Sequence, residues 1–386
     1  MKKKISVLTA TRAEYGLLKR VIRNLKKIDD FDVRIVATGM HLSPEFGMTY
    51  REIEEDGFEL DEKIEILLSS DTETSVSKSM GLAMISFADY FQRLKPDLLL
   101  VLGDRFEAMA VCCVASNMRI PIAHLCGGET TEGAIDESIR HSITKMSYLH
   151  FTIAEDYRRR VIQLGEAPDR VFNFGSLGVE TIQETKLMTK EELENSIQFK
   201  LDKPYGVLTF HPVTLEEGQV NQQCKDLLEV CEEQSDMKFI FTKANADTSG
   251  RIINQMLEEY VKTHNNAVVF TSLGMLRYLS AVSYSEMVIG NSSSGIVEVP
   301  TFQIPTINIG DRQKGRIMAP SVISCEPVKE EMRRAFQKAR NKEFRNSLKK
   351  MENPYGNGNA SERIVEVIET FLKNQTIDLK KKFYDL

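Results

Sequence analysis

No stretch of this chain approaches the roughly 18 consecutive apolar residues that a membrane-crossing helix needs, so a transmembrane anchor is excluded. The basic start, MKKKISVLTAT, precedes an apolar run of only about five residues, too short for a signal-peptide core, and reads as a first strand. Cysteine is sparse. Six occur in 386 residues, none in a C-x-x-C pair, and Cys112 and Cys113 adjoin in an apolar segment. That usage suits buried reduced thiols in a cytoplasmic protein. Excess positive charge is lacking too: the net charge of −6 argues against a nucleic-acid partner. The triple lysines at 2–4 and 380–382 read as solvated ends. The six histidines show no H-x-x-x-H spacing, and neither G-x-G-x-x-G nor a Walker lysine occurs. No metal and no cofactor is therefore expected.

What is present is a strand–helix alternation longer than one core usually fills, so two domains are expected. Strands are predicted at Ile5–Ala10, Phe31–Thr38, Asp97–Leu102, from Ile120, and at Leu149–Ala154, with helices at Tyr15–Lys27, Thr74–Leu94 and Ile139–Leu149. Residues 174–204 read as a linker containing the polar helix Thr189–Gln198. A second alternation follows, with strands at Gly206–Phe210, Lys238–Phe241, Ala267–Phe270, Met287–Ile289 and Thr306–Ile309, and a terminal helix at Ser361–Lys373. Alternation of this kind predicts parallel sheets covered on both faces. The expected architecture is α/β, two doubly wound Rossmann-like domains at 1–178 and 179–386 with a cleft between them. The final helix is expected to pack back on the first domain. A homo-oligomer, dimer or tetramer, is expected, with the Thr74–Leu94 helix as a candidate interface.

Chemistry concentrates past the strand ends. Asp104, Arg105, Glu129, Asp136, Arg140 and His141 fall within one short stretch, where open α/β sheets bind ligands. Glu132 and Glu137 read as solvated neighbours. Arg12, in the turn Thr9–Gly16, is a charge-assisted donor suited to phosphate. Asn291-Ser292-Ser293-Ser294-Gly295 is a second anion cradle of hydroxyls, with Glu298 a turn later and placed to accept ribose hydroxyls. Both turns are also compatible with ordinary helix caps. Asp311, Arg312, Lys314 and Arg316 follow the next strand. His41 and His211 each sit at the carboxyl edge of a strand, where a histidine is more often functional.

These motifs together, among them TATRAEYG, TGMHLSPEFG, VLGDRFE, HLCGGETTEGAIDESIRHSITK and IGNSSSGIVEVP, resemble the UDP-N-acetylglucosamine 2-epimerase family over essentially the whole chain. The similarity is greatest to the hydrolysing branch of the bacterial sialic acid pathway. The resemblance implies a GT-B fold and nucleotide binding by Arg12, Arg105, His211, Asn245, Ser292, Ser293, Glu298 and Arg312. It places catalytic groups at Asp104, Asp136 and His41. Relatives outside the hydrolysing branch carry a glutamate where Cys126 stands, and Glu129 is the candidate replacement. The implied reaction converts UDP-N-acetylglucosamine and water to N-acetylmannosamine and UDP through a glycal. The alternatives are a hydrolysing 2-epimerase of a 2,4-diacetamido-2,4,6-trideoxy sugar nucleotide, a non-hydrolysing epimerase, a glycosyltransferase and a nucleotide-sugar sensor.

Overall fold

The structure is a computed structural model that describes residues 2–68, 72–131, 135–211, 220–244, 250–374 and 377–386. The chain begins β1 (Lys3–Thr9), α1 (Arg12–Lys26), β2 (Phe31–Thr38), α2 (Tyr50–Glu55), β3 (Leu60–Ile64), α3 (Glu73–Leu94), β4 (Leu98–Leu102) and α4 (Phe106–Asn117). It continues through β5 (Ile122–Leu125), α5 (Asp136–Met146), β6 (Leu149–Thr152), α6 (Glu155–Gln163), β7 (Val171–Asn173), α7 (Leu177–Glu184) and α8 (Lys190–Ile197). Next come β8 (Tyr205–Thr209), α9 (Val220–Glu232), β9 (Lys238–Thr242), α10 (Gly250–Thr263), β10 (Ala267–Phe270), α11 (Gly274–Tyr284), β11 (Met287–Gly290) and α12 (Ser293–Val297). The last elements are β12 (Thr306–Ile309), β13 (Val322–Cys325), α13 (Lys329–Arg340), α14 (Lys342–Leu348) and α15 (Ala360–Asn374).

Two compact units result. The first runs to Thr130, resumes as far as Glu180 and takes in Gly358–Leu386; the second is essentially Thr181–Asn357. The expected boundary at residue 178 thus moves to Glu180, and residues 358–386 leave the second domain. Helix α15 belongs to the first unit because Ile364, Ile368 and Phe371 share a core with Leu18, Val21 and Leu25 of α1. The buried Glu180 carboxylate fixes its start, accepting the Ser361 N–H at 2.9 Å and hydroxyl at 2.7 Å. Helix α8 is no spacer: Leu193 and Ile197 are buried in the second unit's core.

Among the described residues every strand pairing is parallel. The first sheet is ordered β3-β2-β1-β4-β5-β6-β7 and the second β10-β9-β8-β11-β12-β13. The run LLLVL of β4 shows why such strands are continuously apolar. Leu98, Leu100 and Leu102 enter the core on one face, while Leu99 and Val101 enter the core on the other. In each sheet the strand order reverses once, between β1 and β4 and between β8 and β11. At such switch points the two following connections leave on opposite faces and open a crevice at the carboxyl ends.

The β8–β11 switch point depends on Gly290, whose φ is +124°. A Cβ there would lie 1.9 Å from the Thr209 carbonyl oxygen, a distance no side chain tolerates. Gly290→Ala is expected to destabilise the second unit by about 3 kcal/mol or more. Gly16→Ala, inside α1 with nothing within 4 Å of the built Cβ, should be neutral or stabilising. Urea unfolding of the two variants checks this, and equal effects would remove the steric argument.

Candidate functional site

At the first switch point, β4 is followed by Gly103, whose φ of +82° turns the chain, and Asp104 lies beyond the strand end. Asp104 is gripped by Arg140, which lies one turn into α5. The guanidinium donates to the Asp104 carboxylate through Nε at 2.9 Å and through a second, shorter bond. Its other terminal nitrogen donates to the Glu129 carbonyl and to Glu137 Oε2, each at 2.9 Å. Arg140 is only 1% exposed, so these acceptors replace water around a buried cation. Burial raises the Asp136 carboxyl above its ordinary range, and the neighbouring Asp104 charge adds to that, against the pull of Arg140 and Arg105. Glu129 is buried, and its charge acts on Arg140. The structure therefore gathers Asp104, Glu129 and Asp136 around one guanidinium. Glu137, read from the sequence as solvated, pairs with Arg140 and also with His141 at 3.0 Å. Glu132 lies outside the described residues.

Arg105 belongs to a neighbouring cluster. It binds the fully buried Glu107 at 2.9 and 3.1 Å and lies 3.9 Å from Glu14. An Asp104–Arg105 pair is not formed; each residue has another partner. Glu14 closes a capping box with Thr11 and accepts the Ala10 N–H at 2.7 Å. Burial pushes its carboxyl up to about 7, opposed by that backbone bond and by Arg105. Arg12 stands apart, half-exposed and 3.0 Å from Glu52.

The two edge histidines of this unit are enclosed. His41 Nε2 lies 2.9 Å from the Thr9 hydroxyl, and Nδ1 lies 2.8 Å from that of Thr49. Burial lowers it to about 4, so the imidazole is neutral and locks the end of β1 to the turn after β2. His124, on β5, holds the Gly103 carbonyl at 2.8 Å and is lowered to about 3 for the same reason. Cys126 follows β5 with a left-handed φ of +65° and donates its N–H to Phe151.

At the second switch point Asn291 is the organising group. Its amide accepts the His211 N–H and donates to the His211 carbonyl, both at 2.8 Å, tying the end of β8 to that of β11. Its own carbonyl receives Arg312 at 3.1 Å and Gln313 at 2.9 Å. His211 is pushed down to about 4 by burial and by Arg312, and its Nδ1 is buried with no hydrogen-bond partner. Ser292 caps α12, whereas Ser293 is exposed. Ser294 donates to Glu298 and receives the Tyr278 hydroxyl at 3.0 Å; burial raises the Glu298 carboxyl. Asn245 lies outside the described residues.

Sequence reasoning missed Arg140 as the hub, and Glu14, Glu107 and Asn291 as supports. The signal was present: GDRFE and IGN put polar groups directly after apolar strands. Their burial is what the sequence does not display.

Two doubly wound units with polar switch points make this a GT-B-type α/β protein. The solved Methanocaldococcus jannaschii UDP-GlcNAc 2-epimerase, in complex with UDP-GlcNAc and UDP, has the same fold, with a TM-score of 0.79 at 22% identity over 95% of this chain and 99% of that one. The chain belongs to the UDP-N-acetylglucosamine 2-epimerase family, whose sequence model matches residues 23–369. It is 46% identical to the GDP/UDP-N,N'-diacetylbacillosamine 2-epimerase (hydrolyzing) of Campylobacter jejuni over all of both chains. It is 40% identical to the polysialic acid biosynthesis protein P7 of Escherichia coli, over 100% of this chain and 98% of that one. It is 32% identical to the UDP-N,N'-diacetylbacillosamine 2-epimerase (hydrolyzing) of Legionella pneumophila over 96% of each.

The lowered histidines make stability depend on pH. An unfolded His takes up a proton near pH 6.5, whereas folded His124 does so only near 3. The unfolded state binds more protons between these values, so stability is full above about pH 6.5 and falls as the pH drops towards 3. His124→Asn should reduce the loss between pH 7 and 5 by about 2 kcal/mol. Urea unfolding at the two pH values measures it. An unchanged pH slope would assign the acid sensitivity to other groups.

Proposed function

We propose that this protein is a hydrolysing 2-epimerase of a nucleotide-linked 2,4-diacetamido-2,4,6-trideoxyhexose of the N,N'-diacetylbacillosamine type. The observation that carries this reading is the 46% identity, over the full length of both chains, to a hydrolysing epimerase named for that sugar. The Legionella relative supports it from a greater distance. UDP-N-acetylglucosamine, the first expectation from sequence, has support at the level of the family and so becomes the second reading.

The second unit is the nucleotide holder. Arg312, the Ser292 hydroxyl and the neutral imidazole of His211 supply donors for pyrophosphate, and Glu298 accepts ribose hydroxyls. The first unit supplies the acid–base groups. A carboxylate among Asp104, Glu129 and Asp136 removes the C2 proton. The C2–H electron pair forms the C1–C2 double bond as the C1–O pair departs with the nucleotide diphosphate. Water then adds its hydroxyl to C1, and C2 receives a proton on the opposite face. Two proton transfers need two groups in different states. Asp136, whose carboxyl burial and the Asp104 charge raise, is the better suited to donate one, while Arg140 balances the charges of Asp104 and Glu129. His41, closed between two hydroxyls, acts by holding the edge.

Turnover in heavy water is expected to place deuterium at C2 of a free sugar product; a product without it overturns the mechanism. The diacetamido sugar nucleotide should exceed UDP-N-acetylglucosamine in kcat/KM by about tenfold or more, and the reverse order would select the second reading. Asp104→Asn should lower kcat by about a hundredfold or more while leaving the UDP dissociation constant within about twofold.

A further inference from the structure

The triple lysine at 380–382, solvated by expectation, contains a half-buried anchor, Lys381. Lys381 Nζ donates to the carbonyl oxygens of Lys145 at 2.8 Å and Ser147 at 2.7 Å, and to Glu166 Oε2 at 2.8 Å. Lys145 lies in the last turn of α5, and Ser147 is its C-cap. The final carbonyls of a helix have no partners within it and carry partial negative charge, so a cation seated there satisfies both needs. Glu166 is 1% exposed and also accepts Lys145 at 2.6 Å and His150 at 3.1 Å. The surrounding segment is docked as well. The Tyr384 N–H donates to the Gly165 carbonyl at 3.0 Å, and the Phe383 ring covers Gly165 so closely that a Cβ there would lie 2.3 Å from it. Lys145 Nζ lies 5.1 Å from the centre of the same ring.

The opposite end of α5 carries Asp136 and, one turn on, Arg140 in its grip on Asp104. Eleven helical residues span about 16 Å and behave as one rigid element. We propose that Lys381, with the segment it anchors, is a positioning residue for the acid–base site: it pins the carboxyl end of α5 and so sets where the amino end presents Asp136 and Arg140. This rests on the functional reading above. Displacement by about 1 Å of groups that must meet a reacting atom costs up to about a hundredfold in rate, so a remote anchor is felt at the chemistry.

The test uses the full chain, Lys381→Met, Lys381→Arg and a chain lacking residues 378–386. Each is assayed with UDP-N,N'-diacetylbacillosamine for kcat and KM, by titration with UDP, and by hydrogen exchange at the amides of α5. Lys381→Met and the deletion are expected to lower kcat about tenfold or more, with KM and UDP affinity within about twofold. Exchange should accelerate in α5, and Lys381→Arg should restore most of both. An unchanged kcat after deletion overturns the inference, as does a loss matched by an equal fall in folded fraction or in UDP affinity. If the unaltered chain turns over neither sugar nucleotide, the functional reading fails. The exchange of α5 then still decides the anchor, and unchanged protection after deletion would refute it.

Discussion

A buried guanidinium governs the first unit. Arg140 is removed from water, and a charge so placed is tolerated only when ionised and carbonyl oxygens surround it. Three parts of the chain supply them: the end of β4 through Asp104, the segment after β5 through the Glu129 carbonyl, and α5 itself through Glu137. One side chain therefore fixes three segments that parallel topology brings only roughly together. Each acid drawn in to compensate the cation is also brought close to another acid. That proximity is what raises Asp136, through Asp104, beyond the effect of burial alone. Structural and chemical demands are met by the same contacts.

The second unit solves the same geometric problem without a buried charge. Asn291 uses both ends of its amide to bracket His211, so β8 and β11 are tied by neutral bonds. Cations are left to the loop after β12, where Arg312 and Gln313 converge on the Asn291 carbonyl. The difference fits the division of labour proposed for the two units. Proton transfer needs carboxyls with unlike environments, whereas an anion grip needs donors and must avoid acids that would compete for them. Glu298, proposed to accept ribose hydroxyls, engages the Ser294 hydroxyl through Oε2.

Much of the fold is legible in the sequence because doubly covered parallel strands are continuous apolar runs; β1, β2, β4 and β8 read directly. Strands β3, β7 and β13 do not. LDEKI and VFN are edge or near-edge segments that are short or charged, and VISC is only partly buried. The strand ends themselves were readable, and so Asp104, Glu129, Asp136, His211 and the serine loop could be singled out. Partners across the fold were not. Nothing local distinguishes Lys381 from its two neighbours, or Arg140 from any arginine on an amphipathic helix. Their partners belong to elements distant in sequence, which local pattern does not encode. His41 shows the opposite limit: its position at a strand edge is visible, but its two hydroxyl partners, which close it, come from Thr9 and Thr49.

Cys126, where the resemblance leads a glutamate to be expected, sits among apolar groups. Its backbone is left-handed, its N–H is committed to the Phe151 carbonyl, and it packs against the first unit's apolar core, as Phe172 and Phe174 do. It also lines a small recess with Leu177 and Ile364. A thiol is a small apolar group and sits there without penalty. Three residues on, Glu129 lies where the field of Arg140 compensates a carboxylate. Of the two positions, Glu129 in the GGE turn is the one beside the cation, and Cys126 packs among apolar neighbours.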